Sequence, residues 1–194
     1  MFDAVLKDAA RNDNDAKLST MHSDLKFILL ALLFALISQS AHADAPDVTL
    51  EDIQGNYHNV SEYIGHGKWT LVNIWSPTCI QCVVEMPDLN KFHLAHHETD
   101  ATVLGITIDF PSFKYGKKDL ATAFIKKYDI SFPILMGDQD LASEISGKHL
   151  KAIPTTYFFH PNGQLVARWP GIVKIEELEE FIRRYEPETD DWFQ

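Results

Sequence analysis

Cysteine is nearly absent: the 194-residue chain has two. Two are too few for a disulfide scaffold, and without histidine they cannot close a four-ligand structural zinc site. Positive charge is also scarce, with 17 Lys and Arg against 28 Asp and Glu and a formal net charge of -11. Phosphate binding needs a basic face, so nucleic acid is not an expected partner, and the acidity reads as a well-solvated surface. No apolar run reaches the roughly 20 residues of a membrane-spanning helix. The main one, FILLALLFALI at residues 27–37, has the length of a signal-peptide core.

That run is preceded by Lys26 and followed by Ala41-His42-Ala43, a small-x-small cleavage pattern. Residues 1–20 are polar and mixed in charge, unlike a signal n-region, whereas Met21 opens a more typical one. The expected organisation is an N-terminal extension and signal peptide over 1–43, with the true start at Met21 and cleavage after Ala43. A single domain follows over 44–194. The competing arrangement keeps residues 25–38 as an uncleaved anchor. Either places the domain in the periplasm or another extracytoplasmic, disulfide-permissive compartment. No cysteine lies at the cut to carry a lipid.

Within the domain, Val48–Ile53 and Tyr57–Val60 flank Gln54-Gly55-Asn56 and read as a hairpin. WTLVNIW (69–75) and VLGITI (103–108) read as buried strands. A helix is expected over 80–97, kinked at Pro87. A second is expected over 117–128, with Leu120, Phe124 and Tyr128 on one face. Residues 132–136 should be extended and 141–150 helical. TTYFF (155–159) and 165–169 should pair across Pro161-Asn162-Gly163, and 175–185 should close the domain as an amphipathic helix. Strands alternating with helices, then a terminal hairpin and helix, predict an α/β sandwich around a mixed sheet.

Both cysteines sit in Cys79-Ile80-Gln81-Cys82, where the 69–75 strand gives way to a helix. A thiol at a helix N-terminus meets unpaired N–H groups and the positive end of the helix dipole, which favour the thiolate. Cys79 is the expected nucleophile. Cys82, one turn further in, is the expected resolving thiol, more buried and less reactive. The alternative, an inert staple, would constrain only three residues of chain and stabilise little. Ile153-Pro154-Thr155 precedes the TTYFF strand, and an X–Pro bond adopts cis far more readily than other peptide bonds.

WSPTCIQC followed some 70 residues later by IPTT resembles the thioredoxin fold. More closely, LVNIWSPTCIQCVVEMP (71–87), VLGITID (103–109), SFPIL (131–135) and IPTTYFFHPNGQLVARWPG (153–171) resemble the TlpA/ResA/CcmG group of exported thioredoxin-like proteins. The resemblance implies a thioredoxin-like sandwich with an N-terminal β-hairpin and a central αβ insertion. It implies Cys79 as exposed nucleophile, Cys82 as resolving partner in a redox-active disulfide, and Pro154 as the cis-proline beside them. Glu85 matches an acidic residue near the active site that tunes the thiols or relays a proton. Trp75, Pro77, Ile80, Gln81, Ile153 and Thr155 are expected to shape the site. Thioredoxin's buried Asp, six residues before its first cysteine, is replaced by Asn73, which cannot ionise. A proton relay through that position is therefore excluded.

The implied activity is disulfide exchange in the reducing direction, on disulfides of protein partners, by a monomer with no metal or bound cofactor. Electrons would come from a membrane donor of the DsbD/CcdA type, and the cysteines of apocytochrome c are one candidate target. The alternatives are a DsbA-type oxidase and a Sco-like copper chaperone that would pair His160 with the two cysteines, although Sco-like proteins use CxxxC. A peroxiredoxin would need a Pro-x-x-x-Thr-x-x-Cys spacing that Pro77-Thr78-Cys79 lacks. His93, His96 and His97 fall at helical spacing and read as a solvated helix face. Phe113, Tyr115 and the 110–116 stretch follow a strand end, where they could shape a partner groove or simply pack.

Overall fold

The computed structural model describes residues 45–185. Met21, the apolar run 27–37 and the proposed cut at Ala43 lie outside the described residues.

Seven strands form one mixed sheet: β1 (Thr49–Asp52), β2 (Tyr57–Asn59), β3 (Trp69–Trp75), β4 (Ala101–Thr107), β5 (Ile134–Met136), β6 (Thr155–Phe159) and β7 (Leu165–Pro170). Their spatial order is β2-β1-β5-β4-β3-β6-β7. All seven residues of β3 are buried, the polar Thr70 and Asn73 included, because both faces of the sheet are covered. It pairs parallel to β4 and antiparallel to β6. The N-terminal hairpin joins this sheet, because β1 pairs antiparallel with β5.

Among the described residues, four α-helices cover the sheet: α1 (Ile80–His96), α2 (Lys118–Tyr128), α3 (Gln139–Ser146) and α4 (Ile175–Arg184). The crossovers β3–α1–β4 and β4–α2–β5 step in the same direction, so right-handed connection puts α1 and α2 on one face. Asn73 of β3 and Thr156 of β6 face α1, while Tyr157 points the other way and meets Ser146 of α3. A thioredoxin-like sandwich with a central αβ unit, α2 and β5, is therefore present.

In α1 the buried positions are Cys82, Glu85, Met86, Leu89, Asn90, Phe92 and His93. That spacing of three and four is one helix face, and it carries Cys82 and Glu85 into the core along with the apolar side chains. Pro87 lies inside the helix.

One expectation is corrected. α3 begins at Gln139 and ends at Ser146, because the Asp138 carboxylate caps its first N–H groups and Gly147 turns left-handed at φ 64°. In α2 only Ala121 and Phe124 are buried, whereas Leu120 is 42% exposed. Phe124 packs against Trp75, 4.9 Å between ring centroids, and leaves Leu120 outside that contact.

Candidate dithiol active site

β3 ends at Trp75, and the chain turns through Ser76, Pro77 and Thr78 before Cys79 becomes the N-cap of α1. The Cys79 N–H donates to the Ser76 carbonyl at 3.2 Å, which fixes the turn. The sulfur does what a Ser or Asp oxygen usually does at such a position: Cys79 Sγ accepts from the Cys82 N–H at 3.3 Å. It also lies 3.7 Å from the Ile153 carbonyl oxygen. The Ile153–Pro154 bond is cis, so the loop expected from the Ile-Pro-Thr motif does face the cysteines.

Both cysteines are free thiols in this structure. Cys79, implied to be an exposed nucleophile, is only 5% exposed, against 0% for Cys82. The order of access is the expected one, but the attacking sulfur is recessed beneath its surroundings. Burial above all, then the neighbouring Cys79 sulfur and the nearby Glu85 carboxylate, push the Cys82 thiol well above its ordinary range.

Of the expected shaping residues, Ile80 is 82% exposed, and Gln81 is exposed beside it. Pro77 is half-buried, and Ile153 and Pro154 are buried at the loop. Trp75 and Thr155 are fully buried, so neither touches a partner. Trp75 supports the turn from beneath through Phe124, and the Thr155 hydroxyl donates to the Ala152 carbonyl at 2.8 Å and braces the proline loop.

Glu85 is not a solvated helix residue. It is 1% exposed, one turn beyond Cys82 on the same face. One carboxylate oxygen accepts from the Val173 N–H at 2.8 Å and the other from Asn73 Nδ2 at 3.1 Å. Asn73 Nδ2 also donates to Thr156 Oγ1 at 3.0 Å, on the strand residue opposite it in register. Desolvation outweighs those stabilising bonds and raises the Glu85 carboxyl from its ordinary 4.5 to about 7. Asn73 excludes a relay through its own position, yet it holds the carboxyl that can perform one.

Sequence reasoning named Asn73 only as a position that cannot ionise, and missed its bond to Glu85 and several other contributors. A polar residue in the middle of WTLVNIW demands a buried partner, and that signal identifies Asn73. Nothing in the sequence points to the Val173 backbone, 88 residues from Glu85. Thr78 Oγ1 donates to the Phe110 carbonyl at 2.9 Å and ties the 110–116 stretch to the approach to Cys79. Phe110 and Phe113 then meet edge to face at 5.7 Å.

The histidine reading is also corrected. His93 is 7% exposed, its Nδ1 accepts from the Val103 N–H at 3.3 Å, and burial next to His97 pulls its pKa down to about 4. His96 instead pairs with Asp100 at 2.9 Å, and His97 with Glu98 at 3.0 Å. His160 packs against Trp69, at the opposite end of β6 from Pro154. A strand length of about 17 Å therefore separates it from the cysteines and removes the copper-chaperone pairing.

Two thiols one helical turn apart can give up two electrons by closing on each other, and here a titratable carboxyl stands behind the inner one. Fold and dithiol together define a thioredoxin-fold thiol–disulfide oxidoreductase. The chain belongs to the AhpC/TSA family, whose model matches residues 41–168. It is similar to thiol-disulfide oxidoreductase ResA of Geobacillus thermodenitrificans, 23% identical over 176 residues, 84% of this chain and 95% of that one. In fold it is similar to a DsbF homologue from Corynebacterium diphtheriae, with a TM-score of 0.62 at 22% identity over 74% of this chain and 87% of that one. A secreted thiol-disulfide isomerase from Corynebacterium glutamicum matches with a TM-score of 0.60 at 22% identity, over 71% of this chain and 81% of that one.

Proposed function

We propose that this protein reduces disulfides in protein partners outside the cytoplasm. One observation carries the direction of attack: Cys79 Sγ, at the N-cap, receives the Cys82 N–H at 3.3 Å while Cys82 is sealed one turn inside. A thiolate at Cys79 is held by that N–H and by the helix end. It attacks one sulfur of the partner disulfide, forms a mixed disulfide and expels the other sulfur as a thiolate. Cys82 then passes its proton to Glu85 and attacks Cys79 Sγ. The second partner sulfur leaves, and the protein is left with a Cys79–Cys82 disulfide. Two electrons move from the dithiol to the partner, so the dithiol is itself the redox centre and no bound cofactor is needed.

Renewal of the dithiol requires a donor, for which a membrane reductant of the DsbD/CcdA type is the proposed source. The haem-site cysteines of an apocytochrome c are one proposed target, and oxidised extracytoplasmic proteins at large are another. Export is proposed through the 21–43 segment. The reading is supported by the apolar core at 27–37 and by the secreted character stated for the C. glutamicum neighbour. The protein is proposed to act as a monomer.

The test is a trapping experiment joined to a potential. Cys82→Ala is expected to accumulate partners as mixed disulfides, and Cys79→Ala to trap none. Equilibration with glutathione should give a potential near that of reducing thioredoxins, about -270 mV; a value near -120 mV would mark an oxidase instead.

A further inference from the structure

A cleft of about 360 Å³ opens between the N-terminal end of α1 and α2. Its near wall is Pro77 and Thr78, the two residues that lead into Cys79, and its floor includes Val83, whose N–H bonds the Cys79 carbonyl at 3.0 Å. The far wall is α2, where Leu120, Phe124 and Tyr128 line the opening at successive turns. This explains why the apolar stripe of α2 is only part buried: Phe124 supports Trp75, and Leu120 faces the cleft.

Among the described residues, Lys127 is the one charged residue in the lining. Its ammonium sits 4.9 Å from the centre of the Tyr128 ring, and among the described residues no carboxylate pairs with it. Lys91, Lys117 and Lys118 each have such a partner, Asp88, Asp109 and Glu51. An unneutralised cation over an aromatic face, beside an apolar cleft on a chain of net charge -11, is complementary to an apolar group with a carboxylate next to it.

We infer that this cleft is a specificity pocket for the disulfide-bearing polypeptide. It receives an apolar side chain close to the partner's cysteine, while an acidic residue beside that side chain pairs with Lys127. The volume lies at the small end of ligand pockets and suits one large side chain. The inference rests on the disulfide-exchange reading, and names the polypeptides that the dithiol selects.

The test uses synthetic disulfide peptides with Phe next to the cysteine and either Asp or Lys beside the Phe, reduced by the full chain after its own reduction. Wild type is expected to reduce the Asp peptide about threefold faster in kcat/KM, the size of one exposed ion pair. The preference should fade at high salt and reverse in Lys127→Glu. Leu120→Asp should lower the rate on Phe peptides relative to Ala peptides. Equal rates on both charge variants, or an unchanged preference in Lys127→Glu, would overturn the pocket while leaving disulfide exchange intact. A wild type that reduces neither peptide overturns the exchange reading, and the pocket with it.

Discussion

At the scale of single residues, the site turns on a carboxyl kept where carboxylates are costly. Glu85 accepts two good hydrogen bonds and is still raised to about 7, because removing its charge from water outweighs both. The raised value suits the group to exchange protons with a thiol near neutral pH, where a proton carrier works best. Cys82 needs such help, since burial holds its own proton tightly. Glu85→Gln should therefore slow release of the mixed disulfide by about 10²- to 10⁴-fold at pH 7. The loss should fall on the second step, seen in rapid-quench experiments as accumulated mixed disulfide. The inflection near pH 7 in the release rate should disappear as well. Unaltered release by the variant would remove Glu85 from the proton path. Its identity was legible in the sequence only through the resemblance, which matches it to an acidic residue near the active site. Its burial was not, because that depends on Asn73 and on a backbone N–H 88 residues away.

Secondary-structure elements were legible where local pattern and tertiary demand agree. β3 announces itself as a bounded β-branched and aromatic run, α1 starts at the expected N-cap, and Pro161-Asn162-Gly163 turns β6 into β7. The bounds of α3 differ from the expected 141–150, although its capping residues Asp138 and Gly147 stand in the sequence as start and stop signals. The solvated histidine face failed as well. Helical spacing identifies a face but not what packs on it, and here β4 covers His93. β4 carries one further constraint. A Cβ at Gly105 would lie 2.4 Å from Ile134 Cδ1 and 3.1 Å from Trp75 Nε1. Glycine leaves that space to the indole on which the active-site turn rests. Gly105→Ala should cost about 1–3 kcal/mol of stability by overpacking, measured by urea unfolding. A variant as stable as wild type would mean that Ile134, Phe132 and Trp75 can make room without cost.

The whole molecule couples two buried groups of opposite chemistry. The Glu85 pKa is raised from 4.5 to about 7, so between those values the folded chain holds more protons than the unfolded one. That contribution is complete below pH 4.5 and is lost as pH rises to 7. His93 is depressed from 6.5 to about 4, so its contribution is present above 6.5 and is lost as pH falls towards 4. Across pH 4.5–6.5 the two slopes oppose each other, and the wild type should be flatter in stability there than either group alone would make it. Glu85→Gln removes one arm and keeps the other. Denaturant unfolding of the variant should show stability climbing between pH 4 and 6.5, the His93 signature. Relative to wild type, the variant should gain up to about 3 kcal/mol between pH 4 and pH 8, the free energy of a shift of this size. The histidine term cancels in that difference, so a gap that stays constant with pH would show that Glu85 ionises as freely in the folded chain as in the unfolded one.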